Sequence, residues 1–258
     1  MDGSASLLAI KLIGTPAIVS GATLAGRRWG PTVTGWIGGL PLASGPLTYF
    51  LAIEQSPRFA AASSAATLAA LLGVSAFAVA FCRLSPRGAW PLPISVGLAS
   101  YLVVAALILF VPLTAPVAFG LALVALTVGL RLLGSPGVAQ AIGPVPVWDI
   151  PARAVAATVL VVGLSALAST LGARVVGLIA PFPVYAAIMG GFTHALYGPA
   201  AAIRLIRGVL VGLYGFSCFY LSVALLATES VLLAFLVGTV TALTVHATSM
   251  WVIRRQGW

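Results

Sequence analysis

The chain has 258 residues, of which 61% are hydrophobic and only 7% are charged. Soluble domains carry about 25% charged residues, so this composition excludes a water-soluble globular domain and indicates a membrane protein. The net charge of +9 comes from basic residues spread in ones and twos between apolar runs, which argues against nucleic-acid binding and is typical of topology determinants.

Apolar runs of about 20 residues, the length of a helix that crosses a bilayer, recur along the whole chain. They predict an all-α polytopic membrane protein with nine spans, near residues 7–26, 32–53, 59–81, 92–111, 116–133, 152–171, 175–195, 203–226 and 230–251. Spans four and five are predicted to form a tight hairpin. An eight-span chain, without this hairpin, is the alternative.

The distribution of arginines favours nine spans and orients them. With nine spans, one side of the membrane receives ten arginines, namely Arg27, Arg28, Arg83, Arg87, Arg131, Arg153, Arg204, Arg207, Arg254 and Arg255. The other side receives only Arg58 and Arg174. Because basic loops stay in the cytoplasm, we expect a bacterial inner-membrane protein with its N-terminus outside and its C-terminus in the cytoplasm. No cleavable signal peptide is expected.

A segment rich in glycine and proline, Gly134–Pro151, divides the chain. We predict an N-terminal repeat over 1–133, a cytoplasmic linker over 134–151 and a C-terminal repeat over 152–258. Asp149 is an isolated acidic residue of this linker.

The two halves resemble each other. A shift of 142 residues aligns 11–77 with 153–219 without a gap, and fifteen of the 67 positions are identical, six of them glycine or proline. Chance agreement between apolar helices is the alternative. Equivalent positions are separated by five spans, an odd number, so the predicted repeats have inverted topology, as in many secondary transporters.

Each repeat is predicted to contain an interrupted helix. Pro41 and Pro183 are equivalent, and each lacks the N–H that a continuous helix needs, so spans two and seven are expected to break just before them. Free amides at such a break must face protein, water or a ligand, and they attract negative charge. A proline kink satisfied by neighbouring helices is the alternative.

The candidate substrate-binding residues are the two prolines and the polar residues that follow them. They are Pro41, Ser44, Thr48, Tyr49, Glu54, Gln55, Pro183, Tyr185, Thr193 and His194. Glu54 and His194 are titratable and are candidates for proton coupling, while solvation at a span end is the alternative. Lys11 and Arg153 are equivalent cations, interpreted as snorkelling to the interface or as balancing an anionic substrate.

These features predict a secondary active transporter that works by alternating access. The expected partners are the lipid bilayer, a small organic anion or neutral polar metabolite, and H⁺ or Na⁺ as coupling ion, with a homodimer left open and no nucleic acid. No cofactor and no metal are expected. The layout is similar to that of bile-acid/sodium symporter-type inverted-repeat carriers. A channel and, less favoured, an intramembrane lipid-modifying enzyme are the alternatives; we expect the chain not to be an enzyme.

Overall fold

The computed structural model describes residues 13–41, 44–134, 148–168, 172–181 and 183–255. Throughout these ranges the chain is helical and forms no strand, as the composition predicts. The helices are α1 (Thr15–Trp29), α2 (Pro31–Gly38), α3 (Ser44–Glu54), α4 (Pro57–Leu84), α5 (Pro91–Leu109), α6 (Ala115–Leu132), α7 (Asp149–Ala168), α8 (Ala173–Ile179), α9 (Val184–Leu226) and α10 (Val231–Arg255).

Five helical stretches of the described residues are long and apolar enough to cross a membrane, which is compatible with an integral membrane protein. They are Pro57–Arg87, Pro91–Leu109, Ala115–Leu132, Ala173–Leu226 and Val231–Ser249. The stretch from Ala173 to Leu226 has 54 residues, far more than the about 20 that one crossing needs, and it contains the seventh and eighth predicted spans. The first predicted span begins outside the described residues.

Two boundaries differ from the prediction. The linker predicted over 134–151 ends earlier, because Asp149, Ile150 and Pro151 already belong to the first turn of α7. An acidic residue and a proline are both favourable in a first helical turn, the first because of the helix dipole and the second because its missing N–H is not needed there. Secondly, α5 and α6 are joined by residues 110–114, and both pack against α4.

Two glycine–proline pairs determine where helices begin. Gly30 has φ 90° and ψ 170° and precedes Pro31, the first residue of α2. Gly198 has φ 78° and ψ 176° and precedes Pro199, so that α9 consists of a first arm (184–197) and a second arm (199–226). A positive φ is inexpensive only for glycine, and proline is pre-set for a helical start, so each pair turns the chain at a fixed point.

The helices α4 and α9 form the centre of the molecule. Their fully buried side chains include Leu68, Leu71, Phe77, Phe81, Leu205, Ile206, Leu210 and Tyr220. In contrast, α5, α6 and α10 expose leucine and valine along their outer faces, for example Leu107, Val124 and Val240. Apolar faces around a packed centre are expected where hydrocarbon, rather than water, surrounds the helices.

Small residues let the short helices α2 and α8 approach this centre closely. A Cβ atom on Gly35 of α2 would lie 1.8 Å from the carbonyl oxygen of Leu205 in the second arm of α9. A Cβ atom on Gly177 of α8 would lie 2.1 Å from the carbonyl oxygen of Ser63 in α4. Such backbone contact is what small residues permit between membrane helices.

Candidate functional site

The two helix breaks lie where the prolines predicted them. Helix α2 ends at Gly38 and α3 begins at Ser44, with Pro41 between them. Helix α8 ends at Ile179, and the buried Pro183 directly precedes α9.

Each proline starts the helix that follows its break. The carbonyl oxygen of Pro41 accepts a hydrogen bond from the amide of Gly45 at 2.9 Å, and that of Pro183 accepts one from the amide of Ala187 at 2.7 Å. Both prolines therefore lie at the start of a new hydrogen-bonded turn, where the missing N–H of proline costs nothing.

Tyr185 joins the second break to the helix that precedes the first. Its hydroxyl donates a 2.7 Å hydrogen bond to the carbonyl oxygen of Thr34 in α2. Its ring covers Gly38, where an added Cβ atom would lie 1.9 Å from Cε1 of the ring. The last residue of α2 and the second residue of α9 are thus in direct contact, and the two interruptions adjoin each other.

Hydroxyl groups collect just after the first break. The Thr48 side chain is buried, and its Oγ1 donates to the carbonyl oxygen of Ser44 at 2.8 Å. The same oxygen lies 3.2 Å from the hydroxyl of Tyr220, which is fully buried in the second arm of α9. Two of the predicted site residues therefore meet a tyrosine that the sequence analysis did not select.

The charged groups of the site form an arginine–aspartate cluster of Arg27, Asp149 and Arg153. Nε of Arg153 lies 2.7 Å from Oδ1 of Asp149, and Nη2 of Arg27 lies 3.3 Å from Oδ2 of the same carboxylate. Asp149 is 0% exposed and Arg153 is 2% exposed, whereas 36% of the Arg27 side chain is exposed. One carboxylate therefore bridges two guanidinium groups, and the cluster carries a net charge of one positive.

The first arm of α9 covers the other edge of the Arg153 guanidinium. Nη1 lies 3.4 Å from Oγ1 of Thr193, 3.5 Å from the carbonyl oxygen of Met189 and 3.6 Å from its sulfur. The guanidinium also lies over the ring of Phe192, 5.2 Å from its centroid, a cation–π arrangement. Thr193, a predicted site residue, thus contacts the buried charge, and Tyr185 lies within electrostatic reach of it.

The interpretation of Arg153 as a snorkelling side chain is wrong. A snorkelling arginine keeps its guanidinium in water, but this one is buried against a carboxylate one helical turn earlier. Asp149, interpreted as an isolated linker residue, is its partner. The four-residue spacing of the two groups at the start of an apolar run is the signal that was available, because such residues share a helix face. Lys11, the equivalent of Arg153, lies outside the described residues.

The remaining predicted residues do not join this cluster. His194 is buried, and its Nε2 lies 2.9 Å from the carbonyl oxygen of Ser85 at the end of α4. The ring of Tyr49 packs edge-on against Phe235 of α10, with centroids 5.2 Å apart. Glu54 and Gln55 are exposed where α3 ends.

Within the described ranges, no three His, Cys, Asp or Glu side chains come together as a metal-binding group would require. The chemistry that the site offers is that of hydroxyl groups and a buried guanidinium. A guanidinium presents five donors in a planar fork that matches carboxylate and phosphate oxygens. Comparison with known protein families, with curated proteins and with solved structures found no match.

Proposed function

We propose that this protein is a secondary active carrier of the bacterial inner membrane that moves a small polar solute by alternating access. In this proposal the chain folds as two inverted-topology repeats with an interrupted helix in each, crossing the membrane nine times. The solute binds where the two interruptions adjoin, and H⁺ or Na⁺ is the coupling ion.

The helix boundaries support a duplication. At the offset of 142 residues, the bounds of α4, Pro57–Leu84, correspond at both ends to the second arm of α9, 199–226. The bounds of α2, Pro31–Gly38, correspond to those of α8, Ala173–Ile179, within one residue.

The observation that carries the proposal is an exchange of contacts between the halves. Gly35 contacts Leu205, and Gly177 contacts Ser63. Gly177 is the equivalent of Gly35, and Ser63 is the equivalent of Leu205, so each short helix packs on the long helix of the other half at the same place. A two-fold relation between the repeats produces this reciprocal pattern.

The same relation extends to α5 and α10. A Cβ atom on Gly97 of α5 would lie 2.8 Å from Cδ2 of Phe77, and one on Gly238 of α10 would lie 3.0 Å from Cδ2 of Phe219. Phe77 and Phe219 are equivalent at the offset of 142, and the two glycines at 141. We therefore assign α1–α5 to one repeat and α7–α10 to the other, with α6 as an additional helix between them.

Hydrogen bonds at the helix ends support the alternation of sides. Nε of Arg83 donates to the carbonyl oxygen of Leu132 at 2.7 Å, and Nη2 of Arg207 donates to that of Gly134 at 2.6 Å, so both lie at the C-terminal end of α6. Nη2 of Arg174 donates to the carbonyl oxygen of Ile108 at 2.7 Å, at the C-terminal end of α5. The first two arginines belong to the ten assigned to the cytoplasm, and Arg174 to the two assigned outside.

A channel is the first alternative. A conducting pore needs a continuous polar lining, whereas α4 and α9 bury leucine and phenylalanine along their length. An enzyme acting on lipids is the second alternative. It needs convergent acid and base groups, but His194 faces the carbonyl of Ser85 while His246 packs against Trp36, 4.9 Å between ring centroids.

Counterflow in proteoliposomes tests the proposal. The reconstituted protein is screened with radiolabelled monocarboxylates, amino acids and sugars, in Na⁺ and in choline buffers. A carrier gives saturable uptake that unlabelled solute on the opposite side accelerates. Flux that rises linearly with concentration and shows no such acceleration would indicate a channel, and the absence of flux for every solute class would contradict the proposal.

A further inference from the structure

The guanidinium of Arg153 is buried without good acceptors on one of its edges. Its bond to Asp149 is short at 2.7 Å, but the contacts of Nη1 with described residues are 3.4–3.6 Å long, and one acceptor is the sulfur of Met189. Ordinary hydrogen bonds of this kind are about 2.7–3.2 Å long, and a thioether sulfur is a weak acceptor. A buried guanidinium with such long contacts favours an additional anionic partner.

We infer that Arg153 binds the anionic group of a small monoanionic solute, and that Asp149 is the resident carboxylate which this group replaces at Arg153. The inference rests on the carrier function proposed above and defines the substrate class of that carrier.

The charge of the cluster selects a monoanion. Arg27 and Arg153 supply two positive charges and Asp149 one negative charge, so one further negative charge makes the cluster neutral. Neutrality is favoured because uncompensated charge is costly in a low-dielectric interior. A cation would increase the imbalance, and a dianion would reverse it. The ring of Phe192 and the thioether of Met189 offer apolar surface to an organic anion.

The second arginine makes the replacement feasible. Asp149 already bonds Arg27 through Oδ2, while Oδ1 bonds Arg153. When the solute takes the place of Oδ1, Asp149 remains paired with Arg27, and no buried charge is left alone. Arg27 belongs to α1 and Asp149 to α7, which pack against each other, whereas Arg153 also contacts α9. Occupation by the solute therefore changes what holds α7 to α9.

Thermal unfolding of the purified, full-length protein tests the inference. The probes are sodium acetate, lactate and benzoate, with alanine as a zwitterion, choline chloride as a cation and sodium chloride to match ionic strength. Carboxylates are expected to raise the Tm of the wild-type protein in a saturable manner, because a ligand that binds the folded state stabilises it. Arg153→Gln is expected to abolish the shift. Arg58→Gln removes an exposed arginine of α4 and is the matched control, expected to keep it.

Asp149→Asn separates binding from a purely structural ion pair. Because it removes the resident competitor, the apparent Kd for the carboxylate is expected to fall by about tenfold or more. If Arg153→Gln does not fold, the double variant Asp149→Asn with Arg153→Gln, which leaves no unpaired buried charge, takes its place.

Four results would overturn the inference: no carboxylate shifts the wild-type Tm, the shift survives without Arg153, alanine replaces the carboxylates as the stabilising probe, or Asp149→Asn weakens binding. None of them bears on counterflow, so the carrier proposal stands or fails separately. Conversely, a carboxylate shift that depends on Arg153, without counterflow of any solute, would contradict the carrier proposal and leave the binding residue assigned.

Discussion

The hydroxyl of Tyr185 donates a 2.7 Å hydrogen bond to the carbonyl oxygen of Thr34. Tyr185 is the second residue of α9, directly after one helix break, and Thr34 lies in α2, directly before the other. This bond connects two short helical segments that belong to different halves of the chain. Any movement of one half against the other at the breaks must break or carry this bond.

Tyr185→Phe removes this bond and keeps the ring against Gly38. We expect the free energy of unfolding to fall by about 0.5–1.5 kcal/mol, the net value of a buried hydrogen bond, and solute uptake to fall several-fold. The measurements are thermal unfolding in detergent and initial uptake rates in proteoliposomes.

Tyr214→Phe is the matched control for Tyr185→Phe. It removes another inter-helix hydroxyl contact, 2.7 Å between Tyr214 and Thr127 of α6, far along the second arm from the breaks. It should cost similar stability and leave uptake unchanged. Equal uptake in both variants would show that the bond to Thr34 has no part in transport.

Gly35→Ala tests the close approach of α2 to α9. The added Cβ would lie 1.8 Å from a backbone oxygen, which cannot move aside as a flexible side chain would, so we expect a loss of about 1–3 kcal/mol or more. Gly177→Ala should behave in the same way, because its contact with Ser63 is the reciprocal one. The measurement is the shift of Tm in detergent.

Gly120→Ala in α6 provides the comparison. No atom lies within 4 Å of the position of its Cβ, and alanine is the better helix former by up to about 1 kcal/mol. This variant should be as stable as the wild type or more so. If Gly35→Ala were equally stable, α2 would not pack on α9 as described.

The two arginines of the cluster should differ in their contribution to stability. Arg153→Gln leaves Asp149 buried with only the longer contact to Arg27, so we expect a loss of about 3–5 kcal/mol, typical when a buried ion pair loses one partner. Arg27→Gln removes a partly exposed group and should cost about 1 kcal/mol or less. Unfolding in denaturant measures both, and equal losses would contradict the difference in burial.

The helix breaks could be predicted because their cause is local. A proline lacks an N–H wherever the chain goes, and two prolines at equivalent positions leave little freedom in where α2 and α8 end. The glycine–proline pair at Gly198 was equally local, yet the sequence analysis aligned its proline and did not predict the turn, since the seventh and eighth spans were read only as separate apolar runs.

The arginine–aspartate cluster could not be predicted because it depends on tertiary packing. Whether Arg153 reaches water or a carboxylate is decided by where α1 and α9 lie relative to α7, and hydrophobic patterning does not determine that. Tyr220 was missed for the same reason: it lies more than 170 residues from Thr48 along the chain, and only the packing of α9 brings the two hydroxyls together.

The most direct test of the central claim, that the two halves are inverted repeats of a carrier, uses Arg87 and Glu229. They are equivalent at the offset of 142 residues and both are exposed, just after α4 and α9 end. Each is replaced by cysteine in a background carrying Cys82→Ala and Cys218→Ser, and intact cells are treated with a membrane-impermeant thiol reagent. Inverted repeats predict that the cysteine at 229 is labelled from outside and the one at 87 only after permeabilisation; labelling of both from the same side would contradict the account.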